Sequence, residues 1–114
     1  MTELVDYTEN NYRDFEHYAG LAVIRFHAPW CAPCVQNKAI FVQLAAQCDA
    51  SIKFGQVNID LAPILTLRYQ VFGLPSTLIF QDGVIIDRIA GVKSLTFWIQ
   101  HIQQLQAEYS QQQQ

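Results

Sequence analysis

The chain has no run of basic residues. Seven Lys and Arg are scattered among ten Asp and Glu, for a formal net charge of −3 over 114 residues. That leaves no electrostatic footprint for nucleic acid or an anionic membrane surface, so neither partner is expected. No apolar stretch approaches the ~20 residues that cross a bilayer. The opening Met1-Thr2-Glu3-Leu4-Val5-Asp6 lacks the basic start and apolar run of a secretory signal, which makes a cytoplasmic location the expectation. There is no Gly-rich phosphate loop and no Ser-nucleophile motif, and the carboxylates are dispersed rather than paired. Cysteine is also sparse. Three residues are too few for the disulfide framework of a small secreted domain, and one close pair points instead to redox chemistry or metal binding.

Apolar residues are plentiful, at 51% against 15% charged, with aromatics spread along the chain. Such a composition supports a single domain with its own core, over residues 1–109, and a monomer is expected. Residues 110–114 form a polar, glutamine-rich tail that cannot bury a core and is read as frayed or disordered.

Periodicity predicts alternating elements. Leu4 to Tyr7 reads as a short strand, followed by a helix from Asn11 to Tyr18 with Thr8 as N-cap and Gly20 as stop signal. Leu21 to Phe26 is a second strand, and Ile40, Phe41, Leu44 and Ala45 repeat at helical spacing within a helix from Val35 to Gln47. Ile52 to Ile59 is a third strand, and Pro63 opens a short helix through Tyr69. Ser76 to Phe80 and Val84 to Ile89 flank Asp82-Gly83, whose two residues favour the positive φ of a tight hairpin. Leu95, Trp98, Ile99, Ile102 and Leu105 mark one face of a final helix. The order β-α-β-α-β-α-β-β-α implies an α/β fold, with parallel strands joined by right-handed crossovers and an antiparallel pair at the end.

The most informative stretch is Trp30-Cys31-Ala32-Pro33-Cys34, placed at the turn from the second strand into the following helix. Two thiols separated by two residues can close a disulfide. At a helix N-terminus, unpaired backbone N–H groups and the positive end of the helix dipole stabilise a thiolate, so Cys31 is the expected attacking sulfur. Cys34, one turn further in, is the resolving sulfur, and Pro33 suits a first helical turn because its missing N–H has no partner to lose. The competing readings are a pair of inert thiols, or a metal site using Cys31, Cys34 and His27 or Cys48. Structural zinc wants four ligands in paired short spacings, and only one such pair exists.

These residues resemble the thioredoxin family over nearly the whole chain, from Leu4 to about Leu105. Phe26-His27-Ala28-Pro29-Trp30 is similar to the family's approach to its motif, Val57-Asn58-Ile59-Asp60 to its third strand, and Gly73-Leu74-Pro75-Ser76-Thr77 to its cis-proline segment. The resemblance implies a central mixed five-stranded sheet flanked by four helices. It also implies a thiol-disulfide oxidoreductase that works through a mixed disulfide, with the reductase direction favoured and no metal or organic cofactor. Expected partners are disulfide-containing proteins and a thioredoxin reductase-type flavoprotein. Trp30, Ile59, Gly73, Leu74, Pro75, Ala90 and Gly91 match the family's shallow recognition surface, with Leu74 offering its backbone to an extended substrate.

The match departs from the family at several positions. Arg25 and Gln56 stand where most members carry a buried Asp and a Lys. Beneath the motif, Arg25 would stabilise a Cys34 thiolate and make the disulfide more oxidising; alternatively it reaches solvent or pairs with a carboxylate. Ala32 replaces the common Gly between the thiols, and Ala39 the kinking proline of the second helix. His27 replaces a family aromatic, either packed at the strand end or acting on the thiols. Cys48 reads as a small packed hydrophobe. A redox-weak adaptor or holdase that grips a partner through the patch around Trp30 and Pro75 is the alternative function.

Overall fold

The apolar run after Gly20 forms the centre of a sheet. In the computed structural model, which describes residues 4–112, it becomes β2 (Leu21–His27), with six of its seven residues buried. The remaining elements are β1 (Val5–Asp6), α1 (Arg13–Glu16), α2 (Ala32–Gln47), β3 (Lys53–Asn58), α3 (Pro63–Arg68), β4 (Ser76–Gln81), β5 (Val84–Ala90) and α4 (Leu95–Gln112). The five strands lie in the order β1-β3-β2-β4-β5. β1 and β2 run parallel to β3, and β4 is antiparallel to both β2 and β5.

A central strand covered on both faces sends alternate side chains into two cores. Ala22, Ile24 and Phe26 join Phe15 of α1, Leu65 of α3, Tyr69 and Phe80 on one side. Leu21 and Val23 join Phe41 and Leu44 of α2 and Trp98 and Ile102 of α4 on the other. By the same two-residue period Arg25 and His27 fall on the α2 side, so a charged residue enters an otherwise apolar row directly beneath the cysteine motif. Register sets Gln56 beside Arg25 on the neighbouring strand.

The expected element order is found, with different boundaries. The first helix is a single turn, Arg13–Glu16, with Tyr12 rather than Thr8 at its N-cap position and no side-chain cap. Thr8 is used in a preceding turn, where its Oγ1 accepts from the Asn10 N–H and its carbonyl from the N–H groups of Asn11 and Tyr12. One turn cannot sustain itself, and fully buried Phe15, edge-on to Tyr7 and Phe80, anchors it. The last helix continues through Gln112, so 110–112 are helical rather than the frayed tail expected from composition. Gln113 and Gln114, the rest of that expected tail, lie outside the described residues, as do Met1 to Glu3.

Two glycines are required where they stand. Gly83 has φ +83° beside Asp82 at +51°, the hairpin geometry expected of that pair. Gly55 lies under the Tyr7 ring, and a Cβ there would run into the ring and within 3.1 Å of the Val5 carbonyl oxygen. Among the described residues, no helix is long and apolar enough to cross a membrane.

Candidate active site

Parallel strands β3 and β2 end together, and the chain leaving β2 turns through Ala28 to Trp30 into α2. That turn puts Cys31 at the helix N-cap, in extended backbone geometry, with the Cys34 N–H donating to its Sγ at 3.3 Å. Cys31 Sγ therefore accepts a backbone N–H at the positive end of the α2 dipole. The two cysteines are joined as a disulfide with Cα atoms 5.2 Å apart. Pro33 is in the first helical turn and exposed, as expected.

The two sulfurs face different surroundings. Cys31 opens onto an apolar cleft of about 470 Å³ lined by Trp30, Ala32, Pro33, Ile59, Val71, Phe72, Gly73 and Leu74. Trp30 is 66% exposed, and its indole Nε1–H donates to both oxygens of Asp60, at 3.0 and 3.2 Å. The Leu74–Pro75 peptide bond is cis. Among the described residues no hydrogen bond engages the Leu74 backbone, whereas the Pro75 carbonyl accepts from the Gly91 N–H at 2.9 Å. Ala90 is opposite Ser76 in the β4–β5 ladder. Trp30, Ile59, Gly73 and Leu74 thus share the cleft with Cys31, while Pro75, Ala90 and Gly91 form its flank.

Cys34 is fully buried and lines a second cleft of about 260 Å³ with Arg25, His27, Ala28, Pro29, Val35, Lys38 and Asn58. Arg25 is 1% exposed. It does not reach solvent, and it is in no ion pair among the described residues. Its guanidinium donates to the Cys34 carbonyl and, at 2.9 Å, to Asn37 Oδ1, with Gln56 Oε1 at 3.5 Å. Gln56 in turn donates to Asp6 at 2.8 Å, so the closest acidic partner is one side chain removed. Burial pushes the Arg25 pKa down. His27 is half-buried at the end of β2; burial and then the positive charge of Arg25 lower its pKa, opposed by Asp6, with a lesser lowering from Lys38. It stands on the Cys34 side and does not line the Cys31 cleft.

Cys48 closes α2, half-buried against the core, and burial with the neighbouring Asp49 pushes its thiol pKa up. No group of three or more His, Cys, Asp or Glu is placed to hold a metal ion among the described residues. Sequence reading missed Phe72, 87% exposed on the cleft wall, and Val71; an apolar pair just before Gly73 was the available signal. It also missed Asp60, which orients Trp30, and Asn37, whose burial on a helix left no local sequence mark.

The family model for thioredoxin matches residues 3–104. The chain is 36% identical to the thioredoxin of Chlamydia caviae over 85 residues, covering 75% of this chain and 82% of that one. It is 26% identical to the thioredoxin of Staphylococcus saprophyticus over 88 residues, covering 77% and 84%. A solved structure from work on thiol resolution in yeast mitochondrial 1-Cys peroxiredoxin via glutathione and thioredoxin systems superposes with a TM-score of 0.79. It covers 90% of this chain and 95% of its own at 22% identity, which establishes the shared fold.

Proposed function

The chain belongs to the thioredoxin family and is a thiol-disulfide oxidoreductase of protein disulfides, and from that premise we propose that Cys31 attacks and Cys34 resolves, in the reductase direction. The Cys31 thiolate attacks one sulfur of a substrate disulfide; a Cys31–substrate bond forms, the substrate S–S bond breaks, and the departing thiolate takes a proton. Cys34, deprotonated in its turn, attacks Cys31 Sγ. The Cys31–Cys34 bond forms and the second substrate thiol leaves, so two electrons pass from this pair to the substrate. A flavoprotein reductase returns them.

The observation that carries this reading is Cys31 at the α2 N-cap, its sulfur accepting a backbone N–H at the mouth of an apolar cleft. An extended substrate segment lies along Leu74, whose backbone donor and acceptor are unengaged among the described residues. Trp30, Ile59, Gly73, Pro75, Ala90 and Gly91 give that segment its apolar bed. Arg25 stabilises the thiolate of Cys34, His27 contributes from the same side, and Pro33 sets the first turn. The protein works as a cytoplasmic monomer in electron transport and redox homeostasis, with no resident cofactor and no nucleic-acid or membrane partner.

Cys34→Ser should accumulate mixed disulfides with protein substrates that dithiothreitol releases, and Cys31→Ser should form none. Substrate binding without any covalent adduct or turnover would favour an adaptor instead.

A further inference from the structure

Asn37 stands in the interior of α2, where asparagine is a poor helix former and caps nothing, yet it is buried. Its Oδ1 accepts from Arg25 Nη2 at 2.9 Å, and the same nitrogen donates to the Cys34 carbonyl. On the neighbouring strand Gln56 joins two groups: its Nε2 donates to Asp6 at 2.8 Å, and its Oε1 faces Arg25 Nη1 at 3.5 Å. An amide suits that place because it donates at one atom and accepts at the other, where a carboxylate would repel Asp6 and a lysine would repel the guanidinium. Among the described residues every acceptor for Arg25 is therefore neutral, and its buried Nε has no partner. A guanidinium so deeply enclosed ordinarily has a carboxylate against it, and none of the ion pairs among the described residues includes Arg25. Cys34, whose own carbonyl receives the guanidinium, is uncharged in the disulfide and becomes an anion only once reduced.

We propose that Asn37 is a positioning residue for the redox couple: it holds the Arg25 guanidinium against Cys34 without neutralising it, so that the counter-ion of this buried cation is the Cys34 thiolate, formed on reduction. A carboxylate at residue 37 would hold Arg25 as firmly and cancel its field at the sulfur. An apolar side chain would leave the charge but lose the hold. The amide gives the hold and keeps the field, and Gln56, turned by Asp6, does the same from β3. This deepens the role proposed for Arg25 and rests on Cys34 as the buried half of the redox pair, whichever sulfur attacks the substrate.

The test is a double-mutant cycle read as the equilibrium constant for reduction of the Cys31–Cys34 bond by dithiothreitol, which gives up two electrons and closes its own disulfide ring. Asn37→Leu, close to asparagine in size, should move that constant several-fold toward the protein disulfide at neutral and alkaline pH, with the shift fading in acid as the thiolate is protonated. In an Arg25→Met background the same substitution should move it not at all, because nothing remains to be held. Asn37→Asp keeps a partner for the guanidinium and so protects the fold. It should shift the constant in the same direction by about tenfold, since a carboxylate at hydrogen-bond distance offsets much of the Arg25 field, and it decides the matter should the leucine variant not fold. A wild-type constant in Asn37→Asp or in folded Asn37→Leu, or an equal shift from Asn37→Leu with and without Arg25, would overturn the proposal. Failure of Cys34→Ser to trap substrates would remove the catalytic assignment and leave this cycle readable, so the two can fail separately.

Discussion

Replacing Arg25 with Met should make the disulfide more reducing. The guanidinium donates to the Cys34 carbonyl, which places its charge roughly 6 Å from the Cys34 sulfur by standard backbone dimensions. At an effective dielectric of about 20, a unit charge at that separation stabilises a thiolate by about 3 kcal/mol. The disulfide carries no charge to stabilise, so the whole effect falls on the reduced form. For a two-electron couple that corresponds to a drop of at most about 60 mV in the variant, reached where the thiolate is fully formed. At acid pH both thiols are protonated, Arg25 has no anion to favour, and the two potentials should converge. The assay is equilibration against a dithiothreitol couple at several pH values. Arg25→Lys, which keeps the charge, should retain most of the wild-type value. Equal potentials throughout, or an offset that does not grow with pH, would refute the electrostatic role and leave Arg25 a packing residue.

Trp30→Ala removes both the exposed ring and its tie to Asp60; it should raise KM for a protein disulfide several-fold while leaving turnover of a small aromatic disulfide nearly unchanged. Equal losses on both substrates would count against a gripping role. Gly55→Ala forces a methyl against Tyr7 and should cost about 1–3 kcal/mol in urea unfolding, the range for overpacking a core; an unshifted midpoint would show that β1 yields freely. Asp14 has its pKa held below the usual 3.8, mainly by the Tyr7 hydroxyl and then by Lys53, with burial opposing. Its contribution is therefore complete above that value and is lost as pH falls through the depressed one. Stability of Asp14→Asn and wild type should differ at neutral pH and converge in acid, and a gap that stays constant with pH would contradict this.

Much of the fold was legible because its signals are local. The Asp82-Gly83 pair gives the hairpin its positive φ, and the near-continuous apolar run from Leu21 to Phe26 marks a strand covered on both sides. The cysteine pair and Pro75 could be placed in the chain for the same reason. Helix ends were less legible. Thr8 has the chemistry of an N-cap but serves a turn, and Phe15, not the cap, fixes α1 through tertiary burial. At the other end, Ser110 to Gln112 have no apolar face to announce them, yet extend the helix set by Trp98 and Ile102. Arg25 shows the same limit at the site. The strand period predicts which face it takes, but its burial among Cys34, Asn37 and Gln56 depends on residues brought together from two other elements.

The most direct test of the central claim is the reactivity of Cys31 in the reduced protein. Alkylation by iodoacetamide at mildly acid pH, with each cysteine followed by mass spectrometry, should modify Cys31 on the order of tenfold faster than the same thiol in the urea-unfolded chain, because backbone amides at the α2 N-terminus favour its anion. Cys34, at 1% exposure, and Cys48, whose thiol pKa is pushed up by burial and Asp49, should lag behind. A folded-state rate for Cys31 equal to or below the unfolded rate would contradict the account.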